Sequence, residues 1–298
     1  MIHRLRLAFT ADLHWGARAE GDEATRLLTE FLRADSPDVL VLAGDIGTGG
    51  HFGDCLALFD GLDCRKALVP GNHDIWVQTD DPRGDSLQVY REHLPQLCRE
   101  HGFHYLDQGP LLLPEADLAL VGSMNWYDYS WSLELLRGRF PDWEERLREK
   151  RFTRGRHNDA VFVRWPFDDV SFTALAVRTF ADHLEQALAS AGRVVVVTHH
   201  PPFYGLSFDR PVPPTTLDSL LWDALGGNRS LEEVLAEHAC RIAFAFCGHT
   251  HCARENTFRG IRGYNIGGDY HFKRLLRLDW PEGTVQAHQF GDAVCRAD

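Results

Sequence analysis

Residues 39–45 read VLVLAGD, which is five apolar residues, a glycine and one carboxylate. An apolar run of this length that stops at a glycine predicts a strand buried on both faces, as in a sheet that helices cover. In open α/β sheets the ligand-binding crevice lies at the carboxyl ends of the strands. The sequence therefore predicts that Asp45 lies at the functional edge of a central strand.

The same pattern occurs at four other places in the chain. Apolar runs at 5–10, 67–69, 194–197 and 242–246 each precede side chains of the types that bind metals. These side chains are Asp12 and His14, Asn72 and His73, His199 and His200, and His249 and His251. Because residues two apart on an extended segment project to the same side, Asp12 and His14 can reach one point together.

Shorter apolar runs predict further strands near 103–106, 111–113, 118–121, 255–258, 263–266, 275–278 and 285–289. Apolar residues at helical spacing predict helices over 26–33, near 55–62, and over 87–101 and 172–188. The sequence SLEE at 230–233 has the form of a capping box and predicts the start of another helix, which runs to about His238. Helices that alternate with strands indicate the α/β class.

The chain has 298 residues and a formal net charge of −12. A chain of this length can bury a sizeable core, as one large domain or two small ones. The acidic balance argues against a nucleic-acid-binding protein with a generally basic surface, although a local positive site can still hold a phosphate.

No stretch approaches the roughly 18 apolar residues of a membrane span, and residues 1–10 enter a strand pattern without a cleavable signal peptide. The seven cysteines are dispersed and form no CxxC pair, which is typical of reduced thiols. We therefore expect a cytoplasmic protein with no membrane partner. Nothing in the sequence predicts its oligomeric state.

The residues that follow the five strands are a mixed set of carboxylate and amide oxygens with imidazole nitrogens. One histidine after a strand is most often a structural residue, but five such clusters are hard to explain in that way. The set suits Mn, Fe, Zn, Co or Ni better than Ca or a thiolate zinc site. Two metals about 3.5–4 Å apart can share one carboxylate, and Asp45 on the central strand is the natural bridge.

The five clusters also carry a family resemblance. In chain order they are Asp12-x-His14, Gly44-Asp45, Gly71-Asn72-His73-Asp74, His199 in THHPP, and Gly248-His249-Thr250-His251. In this order they resemble the motifs of the calcineurin-like metallophosphoesterases. The resemblance spans residues 12–251 and implies a four-layer α/β/β/α sandwich of two mixed sheets, the metallo-dependent phosphatase fold, with a two-metal site at its edge.

The resemblance also implies a role for each motif residue. A first metal would be held by Asp12, His14, Asp45 and His251, and a second by Asp45, Asn72, His199 and His249. His73 would be free of metal and face the scissile phosphate as the catalytic histidine. His200 is expected to lie behind the ligands or to have a structural role.

The implied activity is hydrolysis of a phosphate ester by in-line attack of a metal-bound hydroxide. The implied cofactors are two divalent or transition metal ions, with Mn, Fe or Zn expected first. Two divalent ions, two aspartates and one hydroxide leave a net charge of about +1, which suits a small phosphorylated substrate. A phosphodiester is favoured. The alternatives are a phosphomonoesterase acting on a nucleotide, sugar phosphate or protein, and a non-catalytic binding or scaffold protein that metals stabilise.

The chain departs from the family pattern at one position. Many members carry an acidic residue three positions after the bridging aspartate, where it pairs with the motif histidine, but this chain has Thr48. Asp74 or another carboxylate is the candidate replacement for orienting His73. An arginine is also missing nearby, which argues against close kinship with the protein serine/threonine phosphatases of the superfamily.

Residues 125–170 are rich in aromatic residues and arginines, and we interpret them as a partly helical insertion within a single domain of residues 1–298. The insertion is either a lid, whose arginines grip phosphates and whose aromatics stack on a base or sugar, or a subdomain with its own small core. In the second case, which we favour, the arginines pair with Glu144, Glu145, Glu149 and Asp159.

Overall fold

The computed structural model describes residues 3–208 and 216–292, so that Cys295 lies outside it. Within these residues twelve strands form two six-stranded sheets. The strands are β1 (Leu5–Thr10), β2 (Val39–Ala43), β3 (Arg65–Val69), β4 (Phe103–Tyr105), β5 (Leu111–Leu113), β6 (Leu118–Ser123), β7 (Arg193–Thr198), β8 (Ile242–Cys247), β9 (Arg254–Phe258), β10 (Ile261–Asn265), β11 (Lys273–Trp280) and β12 (Thr284–Phe290). Every strand expected from the sequence is present.

Both sheets are mixed. The first has the order β12-β11-β1-β2-β3-β4 and the second β5-β6-β7-β8-β10-β9. Strands β1 to β4 pair in parallel, while β11 and β12 are antiparallel to their neighbours. In the second sheet β6, β7, β8 and β10 are parallel, and β5 and β9 are antiparallel edge strands.

Helices flank the two sheets. They are α1 (Ala19–Ala34), α2 (Phe52–Ala57), α3 (Ser86–Gln88), α4 (Leu94–Glu100), α5 (Leu133–Arg139), α6 (Trp143–Glu149), α7 (Asp159–Phe162), α8 (Asp169–Leu188), α9 (Leu217–Ala224) and α10 (Arg229–Glu237). A π-helical segment, Val89–His93, joins α3 to α4. The result is the α/β/β/α sandwich of the metallo-dependent phosphatase fold. Within the described residues, no helix is both long enough and apolar enough to cross a membrane.

The alternation of side chains along β2 shows how the layers form. Val39, Val41 and Ala43 face the core between the sheets, whereas Leu40 and Leu42 face the core beneath the helices. All five residues of β2 are buried. The expectation of a strand buried on both faces is therefore confirmed.

Three helix predictions are wrong in detail. The helix expected over 26–33 begins earlier, at Ala19, as α1. The helix expected near 55–62 begins earlier and is shorter, as α2. The cap of α10 is Asn228, not the capping box at Ser230, because the Asn228 side chain accepts the Leu231 N–H at 2.7 Å. Its Nδ2 also donates to the Trp126 carbonyl at 2.8 Å, so a tertiary contact fixes the start of this helix.

Residues 125–170 are helical in part, through α5, α6 and α7. Their aromatic residues do not form a separate core, since the fully buried Trp126 and Tyr127 pack in the same cluster as Phe52. Arginines of the segment do form ion pairs with its acidic residues, as Arg151 does with Glu145 at 3.1 Å. The segment therefore packs into the main core while it keeps a charged outer surface.

The stacking of Phe9 on Phe246 links the two sheets, with ring centroids 3.8 Å apart. Both rings are fully buried. We expect Phe246→Ala to lower the free energy of unfolding by about 3–5 kcal/mol, because it leaves a cavity between the sheets. Chemical denaturation followed by circular dichroism measures this change.

Leu112→Ala serves as the control, because Leu112 is 41% exposed. Its effect on the free energy of unfolding should stay within about 0.5 kcal/mol. Equal effects of the two substitutions would contradict the structural importance of the inter-sheet contact.

Candidate metal centre

The loops after β1, β2, β7 and β8 meet at one edge of the sandwich and are joined by backbone hydrogen bonds. The Asp12 N–H donates to the Gly44 carbonyl at 3.0 Å and the His14 N–H to the Asp45 carbonyl at 2.8 Å. Within the second sheet, the Gly248 N–H donates to the His199 carbonyl at 3.1 Å, and across the two sheets the His249 N–H donates to Asp12 Oδ1 at 3.0 Å. These bonds place the strand-end residues of both sheets next to one another.

Five of the predicted ligands have left-handed backbone conformations. The φ angles are 56° at Asp12, 44° at His14, 52° at Asp45, 73° at His249 and 56° at His251. This conformation costs a non-glycine residue on the order of 1–3 kcal/mol, and such residues cluster at functional sites. The surrounding sheets hold these loops in a shape that turns their side chains inward.

Two motif glycines are required by close approach. A Cβ atom at Gly71 would lie 2.1 Å from Asp45 Oδ1, and one at Gly248 would lie 2.6 Å from Asp12 Oδ2. Any side chain at either position would displace a carboxylate of the site. The glycines of these two motifs therefore make room for the carboxylates beside them.

The structure brings the first predicted ligand set together. One ligand atom from each of Asp12, His14, Asp45 and His251 lies within 4.8 Å of the others. His14 Nε2 is 3.0 Å from His251 Nε2, which in turn is 3.5 Å from Asp12 Oδ1. His14 Nε2 is 3.7 Å from Asp45 Oδ2.

The second predicted set lies on the other side of Asp45. His199 Nε2 is 3.4 Å from Asp45 Oδ1 and 3.1 Å from Asn72 Oδ1. The ring centroids of His249 and His199 are 5.2 Å apart. Asp45 thus directs one carboxylate oxygen to each group, as a bridging ligand does.

The chemistry of these side chains fits divalent metal ions. Asp12 Oδ2 and His249 Nε2 are buried and have no hydrogen-bond partner within the described residues. Burial lowers the pKa of His251 to about 4 and lowers those of His14 and His249 well below the usual range. Unprotonated imidazole is the form that binds a metal, and these three histidines have it. His199 differs, because Asp45 outweighs the effect of burial and raises the pKa of His199 to about 9, so a metal there would displace a proton.

Asp45 stays ionised in this setting. Burial alone raises its pKa, but the nearby His199 and His73 hold it well below its usual range. By contrast, burial raises the pKa of Asp12 to about 7. A divalent cation would offset that penalty, so both carboxylates suit a cationic ligand.

His73 lies at the mouth of the site. Its backbone N–H donates to Asp45 Oδ1 at 2.9 Å. Its ring stacks on Trp76 with centroids 3.6 Å apart, and its side chain is 15% exposed. Of the predicted site residues it is thus one that solvent, and hence a substrate, can reach.

Asp74, the candidate for orienting His73, makes its hydrogen bonds elsewhere, and so does Thr48. The Thr48 hydroxyl donates to the Trp15 carbonyl at 3.1 Å. The Asp74 carboxylate accepts from the backbone N–H groups of Ile46, Gly47 and Gly71 at 2.7–3.0 Å. Asp74 therefore joins the loops that follow β2 and β3, and the idea that it replaces the family's acidic residue is wrong.

His200 packs behind the predicted ligands. It is fully buried, its ring centroid lies 4.0 Å from that of His249, and its Nδ1 lies 3.3 Å from the Met124 carbonyl oxygen. Its supporting role stays a prediction.

Sequence reasoning missed two residues of the site. Tyr270 stacks on His14 with ring centroids 4.2 Å apart. Lys273 is fully buried and its ammonium group donates to the Asp12 carbonyl at 3.1 Å. Both follow β10 without a recognisable motif, and only the pairing of β11 with β1 brings them to the centre.

A cavity of about 660 Å³ opens over these residues. Asp45, Asn72, His73, His249 and His251 line it together with Phe152, Arg154, Arg156, His157, Phe208, Trp222 and Tyr270. Four of these residues, from Phe152 to His157, come from the 125–170 segment. The segment therefore forms part of the cavity wall.

The sandwich, with carboxylate, amide and imidazole groups gathered at its edge, is typical of metal-dependent hydrolases. The family model of calcineurin-like phosphoesterases matches residues 5–253, and the chain belongs to this family. No curated protein sequence matches the chain.

Two solved structures share the fold. One is a phosphopantetheinyl hydrolase from Mycobacterium tuberculosis, with a TM-score of 0.69 and 21% identity over 89% of both chains. The other is a dimetal phosphatase from Danio rerio, with a TM-score of 0.55, 15% identity, and coverage of 97% of this chain and 99% of that one. At these identities the likeness concerns the fold alone.

Asp45→Asn tests the bridging role. When both proteins are produced with Mn in the medium, we expect two metal ions per chain in the wild type and fewer than one in Asp45→Asn. Both ligand groups lose their shared negative ligand in the variant. Elemental analysis of purified protein measures the content. Asp54→Asn, at a side chain that is 67% exposed, is the control and should keep both ions. Unchanged metal content in Asp45→Asn would contradict the bridge.

Proposed function

We propose that the protein is a dinuclear metal-dependent phosphoesterase that prefers a phosphodiester. The observation that carries this proposal is the division of Asp45 between two ligand groups, with His199 Nε2 at 3.4 Å from Oδ1 and His14 Nε2 at 3.7 Å from Oδ2. Membership in the calcineurin-like phosphoesterase family supports the reaction class.

The residues that would hold the metals are those the sequence predicts. Asp12, His14, Asp45 and His251 would hold the first, and Asp45, Asn72, His199 and His249 the second. When bound, such metals polarise phosphoryl oxygens and supply a nucleophilic water at neutral pH. The oxygen and nitrogen ligands favour Mn, Fe or Zn.

His73 supplies the proton chemistry of this chain. Its ring lies at the cavity and its Nε2 is 3.8 Å from Asp45 Oδ2. From this place it can donate a hydrogen bond to a phosphoryl oxygen or a proton to the leaving oxygen. Stacking on Trp76 fixes the plane of the ring, so the donor direction is set before substrate binds.

The cavity supports a small organic phosphate as the substrate. Its volume of about 660 Å³ falls in the range of pockets for drug-sized ligands and far exceeds a phosphate group alone. Its wall includes the basic residues Arg154 and Arg156 and the aromatic residues Phe152 and Trp222. A diester has two substituents on phosphorus, and such a wall offers contacts to both.

Two alternatives remain as outcomes of the test. A phosphomonoesterase would use the same residues on a smaller substrate. A metal-stabilised scaffold would need neither His73 at the cavity nor an open cavity above the ligands. The presence of both features favours turnover.

We expect the protein with Mn to hydrolyse bis(p-nitrophenyl) phosphate faster than p-nitrophenyl phosphate. In His73→Ala, kcat on the diester should fall by about 10²–10⁴, the range for loss of a general acid. Release of p-nitrophenol measures both rates. Metal content should not change, because His73 is outside the predicted ligand sets.

His101→Ala is the matched control, because His101 pairs with Asp60 at 3.1 Å and does not line the cavity. It should keep the wild-type rate. A faster reaction on the monoester would favour the phosphomonoesterase. Absence of turnover on either substrate with both metals bound would favour the scaffold.

A further inference from the structure

Asp159 is the residue of the 125–170 segment that reaches the ligands most directly. Asp159 is the first residue of α7 and is only 2% exposed. Asp159 Oδ1 accepts hydrogen bonds from Asn72 Nδ2 at 3.0 Å and from Trp76 Nε1 at 2.8 Å. Asp159 Oδ2 accepts from the Tyr127 hydroxyl at 2.9 Å and lies 3.2 Å from His157 Nδ1.

The contact with Asn72 decides which way the side-chain amide points. An ionised carboxylate only accepts hydrogen bonds, so the NH₂ group of Asn72 must face Asp159. The amide oxygen then faces the opposite way, toward His199 Nε2 at 3.1 Å. That direction is the one a metal ligand needs, since a cation is bound by the oxygen and repelled by the NH₂ group.

The contact between Asp159 and Trp76 concerns His73, the predicted catalytic residue. Trp76 carries the stacked ring of His73 at 3.6 Å, and its indole N–H is held by Asp159 Oδ1. One buried carboxylate therefore restrains both a predicted ligand and the support of the catalytic histidine. This arrangement orients His73 in a chain where Thr48 occupies the position of the family's acidic residue.

We propose that Asp159 is a positioning residue through which the 125–170 segment fixes the Asn72 amide toward the second metal and fixes Trp76 beneath His73. The inference rests on the proposed dinuclear function, because it assigns Asn72 to a second metal. It adds a role for the segment that neither a substrate lid nor a separate subdomain includes.

The test measures metal binding without turnover. Metal-free wild type, Asp159→Asn and Asn72→Ala are titrated with Zn²⁺ by calorimetry, with thermal unfolding of each apoprotein as a check of folding. For Asp159→Asn we expect the Kd of the weaker-binding ion to rise about 10–100-fold, the usual effect of removing a group that orients a ligand. Asn72→Ala should lose that ion, while the first ion stays bound in all three proteins.

Asp169→Asn is the matched control. Asp169 is also buried and also accepts from aromatic donors, Trp126 Nε1 at 2.9 Å and the Tyr129 hydroxyl, and from Lys150 at 2.6 Å. Its substitution should lower stability without changing either Kd. An Asp159→Asn protein that binds both ions as the wild type does would overturn the inference.

The same titration separates this inference from the proposed function. A wild type that binds one ion per chain would contradict the dinuclear site itself, and the inference would fall with it. Two ions in the wild type, with unchanged affinities in Asp159→Asn, would contradict the inference alone.

If Asp159→Asn does not fold, hydrogen exchange of the Asn72 side-chain amide in the wild-type apoprotein tests the hydrogen bond to Asp159 instead. The signal is assigned by its absence in Asn72→Ala. Slow exchange supports the bond to Asp159, and exchange at the rate of an exposed amide overturns it.

The His73 branch is tested with Trp76→Phe, which keeps a ring beneath His73 but removes the indole donor. We expect kcat to fall several-fold while both Zn²⁺ affinities stay within about twofold of wild type, since the Asn72 contact is intact. A wild-type kcat in this variant would overturn the assignment of His73 positioning to Asp159.

Discussion

The site depends on the burial of one ionised carboxylate, Asp45, at the line where the two sheets meet. A buried charge is costly unless donors and opposite charges surround it. Asp45 Oδ1 receives the His73 N–H and lies near the His199 imidazole, while Asp45 Oδ2 lies near the His14 imidazole. Each of these residues comes from a different strand end, so the carboxylate is satisfied only when both sheets are in place.

This dependence explains why the strand-end loops can hold an unfavourable backbone. The left-handed angles of the predicted ligands have a cost that the large inter-sheet core, with contacts such as Phe9 on Phe246, offsets. The motif glycines allow the loops to approach more closely than side chains would permit. Strain is thus confined to the loops, and rigid strands on either side prevent its release.

Most of the fold could be predicted from the sequence because the strands are short, apolar runs whose burial has a simple period, as along β2. The convergence of the five motifs could also be predicted, since the carboxyl ends of parallel strands share an edge. The left-handed backbone, the stacking of Tyr270 and the burial of Lys273 could not, because each depends on which strands become neighbours. The cap of α10 was misassigned for the same reason, since Asn228 is selected by a contact with Trp126.

The role of residues 125–170 is where local sequence reasoning and tertiary structure differ most. Composition leads to a choice between a lid and a separate subdomain, and both ideas treat the segment as an addition to the site. The contacts of Asp159 instead connect the segment directly to the site, because its carboxylate accepts a hydrogen bond from the Asn72 amide on the side away from His199. By linkage, whatever binds the oriented Asn72 also stabilises the packed segment. The cavity wall and the candidate ligands are therefore joined through this buried hydrogen bond.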